Sequence, residues 1–474
     1  MLRHFSRRHV LLAGASTGAL AWLPSTSALA MPIRRLRAAK RIIEVNGKSA
    51  SMFALEGANG LDGVRLAPGE RFAVTLENAC GEPTIIHWHG QTPPVAQDGV
   101  TATGYESPIA NGAAQGYDFA PRPGTHWMHS HLGLQEQKLM AAPLIVHTAE
   151  DLRADTQEVV LLLHDFTFRD PAEILSSLTG QGGMGAMGGM GGQGSMGGMG
   201  GMGNGPDLND VDFDAYLANG RTLDDPQIVR VARGGRVRLR LINGATATAF
   251  WIGTGGAPAQ LIAVDGDAVQ PLDVSTPLPV AEGQRLDLLL TLPPGEGAYP
   301  ILAQREGGTA RTGLILATPT AKIMKLGNQS GAPAGACGIT LETNLRAQTP
   351  LANRPIDLVH QVILAGNMAG YDWTINGKQW KNHDPLLVKQ GERVALDIVN
   401  HSKMAHPMHL HGHHFQVLAI NDTALPGAMR DTVLVPPMGS VRIAFDAVNP
   451  GRWLFHCHNL YHMAAGMMTE VQYV

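Results

Sequence analysis

Three times along the chain, apolar and polar residues alternate and then stop at an asparagine: "RFAVTLEN" ends at Asn78, "RVRLRLIN" at Asn243 and "RVALDIVN" at Asn400. A period of two is the mark of a strand with one face toward a core and the other toward water. Each run follows an Asn-Gly dipeptide (Asn46-Gly47, Asn219-Gly220, Asn376-Gly377), an apolar strand and a turn centred on Gly69, Gly234 or Gly391. Asn-Gly suits the tight turns of hairpins. From turn glycine to closing asparagine the spacing is the same in all three copies, so the unit is a repeat and predicts three tandem β-sandwiches.

Composition agrees with this pattern. Gly (57) and Pro (30) are frequent in 474 residues and aromatics make up 5%, which favours short strands joined by turns over long helices, an all-β protein. The length suits about three domains. A cut near residue 150 and another in the Gly/Ala/Pro-rich segment 327–338 give domains of 31–150, 151–335 and 336–474. Inside the second, residues 181–205 form a Gly/Met insert of low complexity with little to pack into a core.

A formal net charge of −4, with the basic runs confined to the N-terminus, argues against a nucleic-acid partner. Arg7 and Arg8, an interrupted apolar stretch and the small-x-small site Ala28-Leu29-Ala30 predict a twin-arginine export signal over residues 1–30, and hence a periplasmic protein. That stretch is too short and broken to span a membrane, and no later segment reads as a span. Three cysteines, an odd count, leave at least one free or metal-bound; Cys80 and Cys337 are left either to pair or to lie as buried thiols.

The candidate chemistry lies in histidines. Nine and eleven residues beyond Asn78 stand His87 and His89, and at the same offsets beyond Asn400 stand His409 and His411; the middle copy has Ile252 and Thr254 there. Two further His-x-His pairs follow, His129 with His131 and His456 with His458. On a strand each pair projects to one face with its members about 7 Å apart, a spacing that suits one metal ion or two neighbouring ones. A single pair is commonly an ordinary surface or core feature, but four, two from each outer domain, predict a multi-metal cluster between the first and third domains. Imidazole suits copper. Cys457 lies between His456 and His458 and so points to the opposite face, where His406, His462 and Met467 can complete two imidazoles, a thiolate and a weak axial thioether, the donor set of a blue-copper site.

On the segments "HWHG", "HSH", "HPMHLHGH" and "HCHNLYHMAAGM" the chain resembles the three-domain multicopper oxidases, from roughly residue 40 to the end. The resemblance implies three cupredoxin-like Greek-key sandwiches and four copper ions. Type 1 copper would take His406, Cys457, His462 and Met467, and type 2 copper His87 and His409. The type 3 pair would take His89, His129 and His458 on one ion and His131, His411 and His456 on the other. The family oxidises its reductant one electron at a time at type 1 and reduces dioxygen to water at the other three. Asp98 matches a family aspartate near type 2 copper and is expected to serve proton supply. A glutamate that some relatives carry directly after the second type 1 histidine is replaced here by Met463. His126, His413 and His414, beside ligands, are expected only to pack or bond locally, and His147, His164, His360, His383 and His401 have no assigned role.

"HSHLGLQEQ", "AYLANGR" and "LYHMAAGMM" resemble the periplasmic copper-resistance, or cuprous, oxidases more than plant or fungal laccases. Met184, Met187, Met190, Met196, Met199 and Met202 of the insert agree, because soft thioethers prefer Cu(I); the alternative is a linker without a metal role. The expected function is oxidation of Cu(I) to Cu(II) with dioxygen, in copper tolerance, by a monomer. A laccase-like oxidase of small phenols or aromatic amines is the alternative, and a non-catalytic copper-binding or scaffold protein is disfavoured because all twelve ligand places are filled.

Overall fold

A computed structural model describes residues 34–57, 60, 63–180 and 208–474. The expected export signal over residues 1–30 and the six insert methionines lie outside the described residues. Six sheets pair into three sandwiches whose strands span Arg34–Val146, Gln157–Ala317 and Leu358–Tyr473. Among the described residues the helices are short, and none is long and apolar enough to cross a membrane.

The repeated asparagines have one physical job. Asn78, Asn243 and Asn400 end their strands fully buried. Each side-chain oxygen accepts the backbone N–H two residues on (Cys80, Ala245, Ser402), while each amide donates to carbonyls across the sandwich: Ile109, Val280 and Val435. Asparagine satisfies the backbone at a point where the strand must turn inside the core, and an apolar residue there would leave those groups unpaired.

The domains interlock. Leu341 and Leu345, from the connection leading into the third sandwich, pack in the core of the second, and Ile174, Val211 and Ala247 of the second pack in the core of the third. Ile174 and Val211 flank the insert on its two sides, so both of its anchor points are set in the core that also holds Cys457, Tyr461 and Met467. Cys80, Cys337 and Cys457 are all free and buried, so Cys80 and Cys337 do not pair.

Candidate metal centre

Strands His406–Leu410 and Arg452–Cys457 run antiparallel, with Met408 opposite Cys457 and His409 opposite His456. Cross-strand partners share a face and next-door residues do not. One face therefore carries His406, Met408 and Cys457, the other His409 and His456. In the first sandwich, strands Ile86–His89 and Gly124–Ser130 pair His87 with His129.

On the Cys457 face the donors form a triangle: Cys457 Sγ to His406 Nδ1 is 3.7 Å, to His462 Nδ1 3.6 Å, and the two nitrogens are 3.2 Å apart. A first-row ion with bonds of about 2.0 Å to nitrogen and about 2.3 Å to sulfur, at angles between tetrahedral and trigonal, needs nitrogens about 3.3–3.5 Å apart and nitrogen–sulfur pairs about 3.5–3.7 Å apart; the triangle meets this to within about 0.1 Å, so the residues fit a thiolate–imidazole copper site. His462 is placed by the helix Leu460–Ala465, whose N-cap Asn459 accepts from the N–H groups of Tyr461 and His462. Met467 is fully buried in the same core, and its carbonyl accepts from Cys457 N. Burial pushes the Cys457 thiol well above its usual range and His406 well below. A positive ion in the triangle reverses the first and matches the second, since it binds thiolate and neutral imidazole.

The opposite face gathers eight imidazoles from two domains. His89, His129 and His458 form one trio of converging nitrogens and His131, His411 and His456 another, while His87 and His409 converge with His89. The orphaned atoms fit metal ions: His87 Nε2, His89 Nδ1, His129 Nε2, His131 Nε2, His409 Nε2 and both His458 nitrogens are buried without a hydrogen-bond partner. His411 Nε2 and His456 Nε2 face each other at 3.0 Å. Burial first, then the neighbouring imidazoles, drives His409 and His411 well below the usual histidine range, and burial takes His456 down to about 3. Neutral rings are the form that ligates.

The outer nitrogens are held by groups that fix each ring's tautomer, as ligating histidines require. Asp98, fully buried, sets Oδ2 2.9 Å from His411 Nδ1 and its carbonyl 2.9 Å from His87 Nδ1, joining a candidate ligand of the first domain to one of the third. Glu136 Oε2 lies 2.8 Å from His129 Nδ1. Asp431 Oδ1 lies 3.1 Å from His89 Nε2, and the Asp431 carbonyl accepts from His409 Nδ1 at 2.9 Å. On the other face, Asp210 Oδ2 is 2.8 Å from His462 Nε2 and accepts from Tyr371 Oη at 2.7 Å. Burial opposes ionisation of Asp210, yet His462, Tyr371 and Asn459 hold its carboxyl below the ordinary range.

Sequence reasoning brought out Asp98 but missed Glu136, Asp431 and Asp210. Glu136 stood in a quoted motif without a role, and no fixed spacing leads to the other two. Beyond its Met-rich insert, it also gave the middle domain no part in the imidazole cluster. Yet Arg285 of that domain, fully buried, donates to Asp431 Oδ1 at 2.6 Å and to its Oδ2, and Gly283 packs against the rings of His458 and His89. The other histidines near ligands bond locally: His126 with the Pro123 carbonyl, His413 with Tyr473 Oη, and His414 with Asp267.

Family models described as multicopper oxidase match residues 38–151, 157–328 and 354–474. The chain is 32% identical to a multicopper oxidase of Mycobacterium tuberculosis over 100% of this chain and 97% of that one. It is 26% identical to copper resistance protein A of Escherichia coli over the whole of both. The fold matches that of a laccase from Botrytis aclada with a TM-score of 0.73 at 23% identity, covering 92% of this chain and 86% of the laccase.

Proposed function

The chain belongs to the multicopper oxidases, copper-dependent oxidases, and from that premise we propose a periplasmic cuprous oxidase that protects against copper by converting Cu(I) to Cu(II). In this reading His406, Cys457, His462 and Met467 would hold type 1 copper and His87 with His409 type 2. His89, His129 and His458, and His131, His411 and His456, would hold the type 3 pair, four ions in all within a single chain. When bound, copper supplies the redox chemistry, one electron at a time from the reductant and four to dioxygen, with water as product.

The observation that carries the reading is the pair of donor sets on opposite faces of one strand seam. Cys457 ends the strand that presents His456 to the other side, so its backbone is a covalent path from the reductant's site to the dioxygen site. The chain's other residues hold and orient. Asp98 fixes His87 of the first domain and His411 of the third and is the proton carrier of this account. Asp431 and Glu136 fix the rings on the far side. Asp210, its carboxylate fully buried, ties the segment just past the insert to His462 and places a negative charge beside the type 1 site.

Cu(I) as reductant is supported by where the insert is anchored: Ile174 before it and Val211 after it both pack in the Cys457 core. Six thioethers on that tether can deliver Cu(I) to the Asp210–His462 edge. A laccase-like reading is favoured by one feature, a cleft of about 390 Å³ beside the His462 helix, bordered by Tyr371, Asp372, Gln379 and Ala465. Aerobic Cu(I) consumption with dioxygen uptake, on copper-loaded intact chain and on chain lacking residues 181–205, separates the two. Slower Cu(I) oxidation with phenol oxidation spared in the deletion supports the cuprous oxidase. Poor Cu(I) and good phenol turnover in both proteins replaces it with the laccase.

A further inference from the structure

At the seam between the first and second sandwiches, a cleft of about 360 Å³ is bordered by Arg41, His164, the Asn219-Gly220 turn and apolar Ala141, Pro143 and Leu162. His164 is 5% exposed, and neither ring nitrogen has a hydrogen-bond partner. A buried imidazole with both nitrogens idle gives up the hydrogen bonds that water would supply, a cost a ligand can recover. The neighbouring Asn219 turn, by contrast, is satisfied. Asn219 receives the Leu162 N–H and donates to the Val160 carbonyl and to Gln227, which fixes the turn rigidly.

Arg41 is the second anomaly. Its Nε donates to the Phe53 carbonyl at 3.3 Å, and its two terminal nitrogens reach across the seam toward Gly220. Among the described residues no carboxylate lies within ion-pair distance of it. Glu158, the carboxylate on this wall, is already engaged by Arg240, His147 and Arg65, and Arg221 pairs outward with Asp225. Glu56, the acid whose charge Arg41 feels, is itself paired with Arg37; the cleft thus holds a guanidinium without a direct ion-pair partner among the described residues, beside an imidazole with one donor and one acceptor to spare. Burial and the Arg41 charge take His164 down to about 3, so it is neutral at working pH and offers both roles.

We propose that this cleft binds a small hydroxylated oxyanion, a phosphate monoester or hydroxy acid, with its charged oxygens on Arg41 and its hydroxyl and neighbouring oxygen on His164. Water could satisfy His164 but would leave Arg41 without a direct ion-pair partner, whereas one ligand with an anionic group and a hydroxyl answers both. The carbon skeleton would lie on Ala141, Pro143 and Leu162. The site is separate from the oxidase chemistry and stands or falls apart from it.

The test is calorimetric titration of copper-loaded full-length protein with inorganic phosphate and with citrate, against sodium chloride at equal ionic strength, paired with melting curves. Binding and stabilisation by phosphate or citrate beyond chloride are expected. Arg41→Gln should weaken binding about tenfold or more, Arg41→Lys should restore part of it, and copper content and oxidase rate should be unchanged. His164→Phe, which keeps the volume and removes both nitrogens, should weaken binding without lowering the melting temperature in chloride. Stabilisation by neither probe beyond chloride overturns the proposal, as does equal binding by wild type and Arg41→Gln.

Discussion

Gly283→Ala tests whether the ligand-free middle domain shapes the metal cluster. Gly283 has φ +78°, and a Cβ there would sit 2.8 Å from His458 Cδ2, 2.9 Å from its Cγ and 3.1 Å from His89 Cε1. The left-handed backbone alone costs an alanine about 1–2 kcal/mol. Restoring carbon contacts of about 3.5 Å requires the His458 ring to move by about 0.7 Å, beyond the tolerance of about 0.2 Å within which a metal–ligand distance holds. The backbone cannot yield easily, because Gly283 N donates to the Asn243 carbonyl and its own carbonyl accepts from Arg285. Copper per chain, the blue absorption and the dioxygen-reduction rate are the assay. The account expects the blue absorption to survive, since Cys457 faces the other way, while copper falls below the wild-type ratio and dioxygen reduction drops at least tenfold. Full copper content and an unchanged rate would refute the inference that this domain is a wall of the cluster.

Asp431→Asn leaves the fully buried Arg285 with Asp265 alone, 3.7 Å away, and should destabilise by roughly 3 kcal/mol in denaturant unfolding, with loss of copper from the cluster side. Asp210→Asn removes a negative charge next to His462, so a redox titration should give a higher type 1 reduction potential, with slower Cu(I) oxidation despite it. Glu282 is buried, and burial raises its carboxyl from 4.5 to about 8. A raised carboxyl contributes stability that is complete below about pH 4.5 and lost as pH climbs through about 8, on the order of several kcal/mol. Glu282→Gln should therefore melt higher than wild type at pH 8.5 and alike at pH 4.5; equal curves at both would contradict it.

The strand period made the two-faced arrangement legible before any coordinates, because His456, Cys457 and His458 can only alternate. The three asparagines likewise announced the sandwiches, since a strand-ending amide must recur wherever that core turn recurs. What holds the imidazoles was hidden. Asp431 reaches His89 across 342 positions and Asp210 reaches His462 across a domain boundary, contacts that depend on how sandwiches dock and leave no period in the chain. Arg285 and Gly283 were hidden for the same reason, in a domain that looked inert because its own ligand positions hold Ile252 and Thr254. His164 carried no signal at all, because its oddity is the absence of partners.

The central claim is that one strand seam separates a thiolate site from an imidazole cluster. Metal analysis with optical and electron paramagnetic resonance spectra of wild type and Cys457→Ser tests it most directly. The account predicts four copper ions in the native protein, and in the variant three ions, no blue absorption and an intact type 2 signal. Loss of every ion together, or a variant that keeps both its blue absorption and its copper, would contradict it.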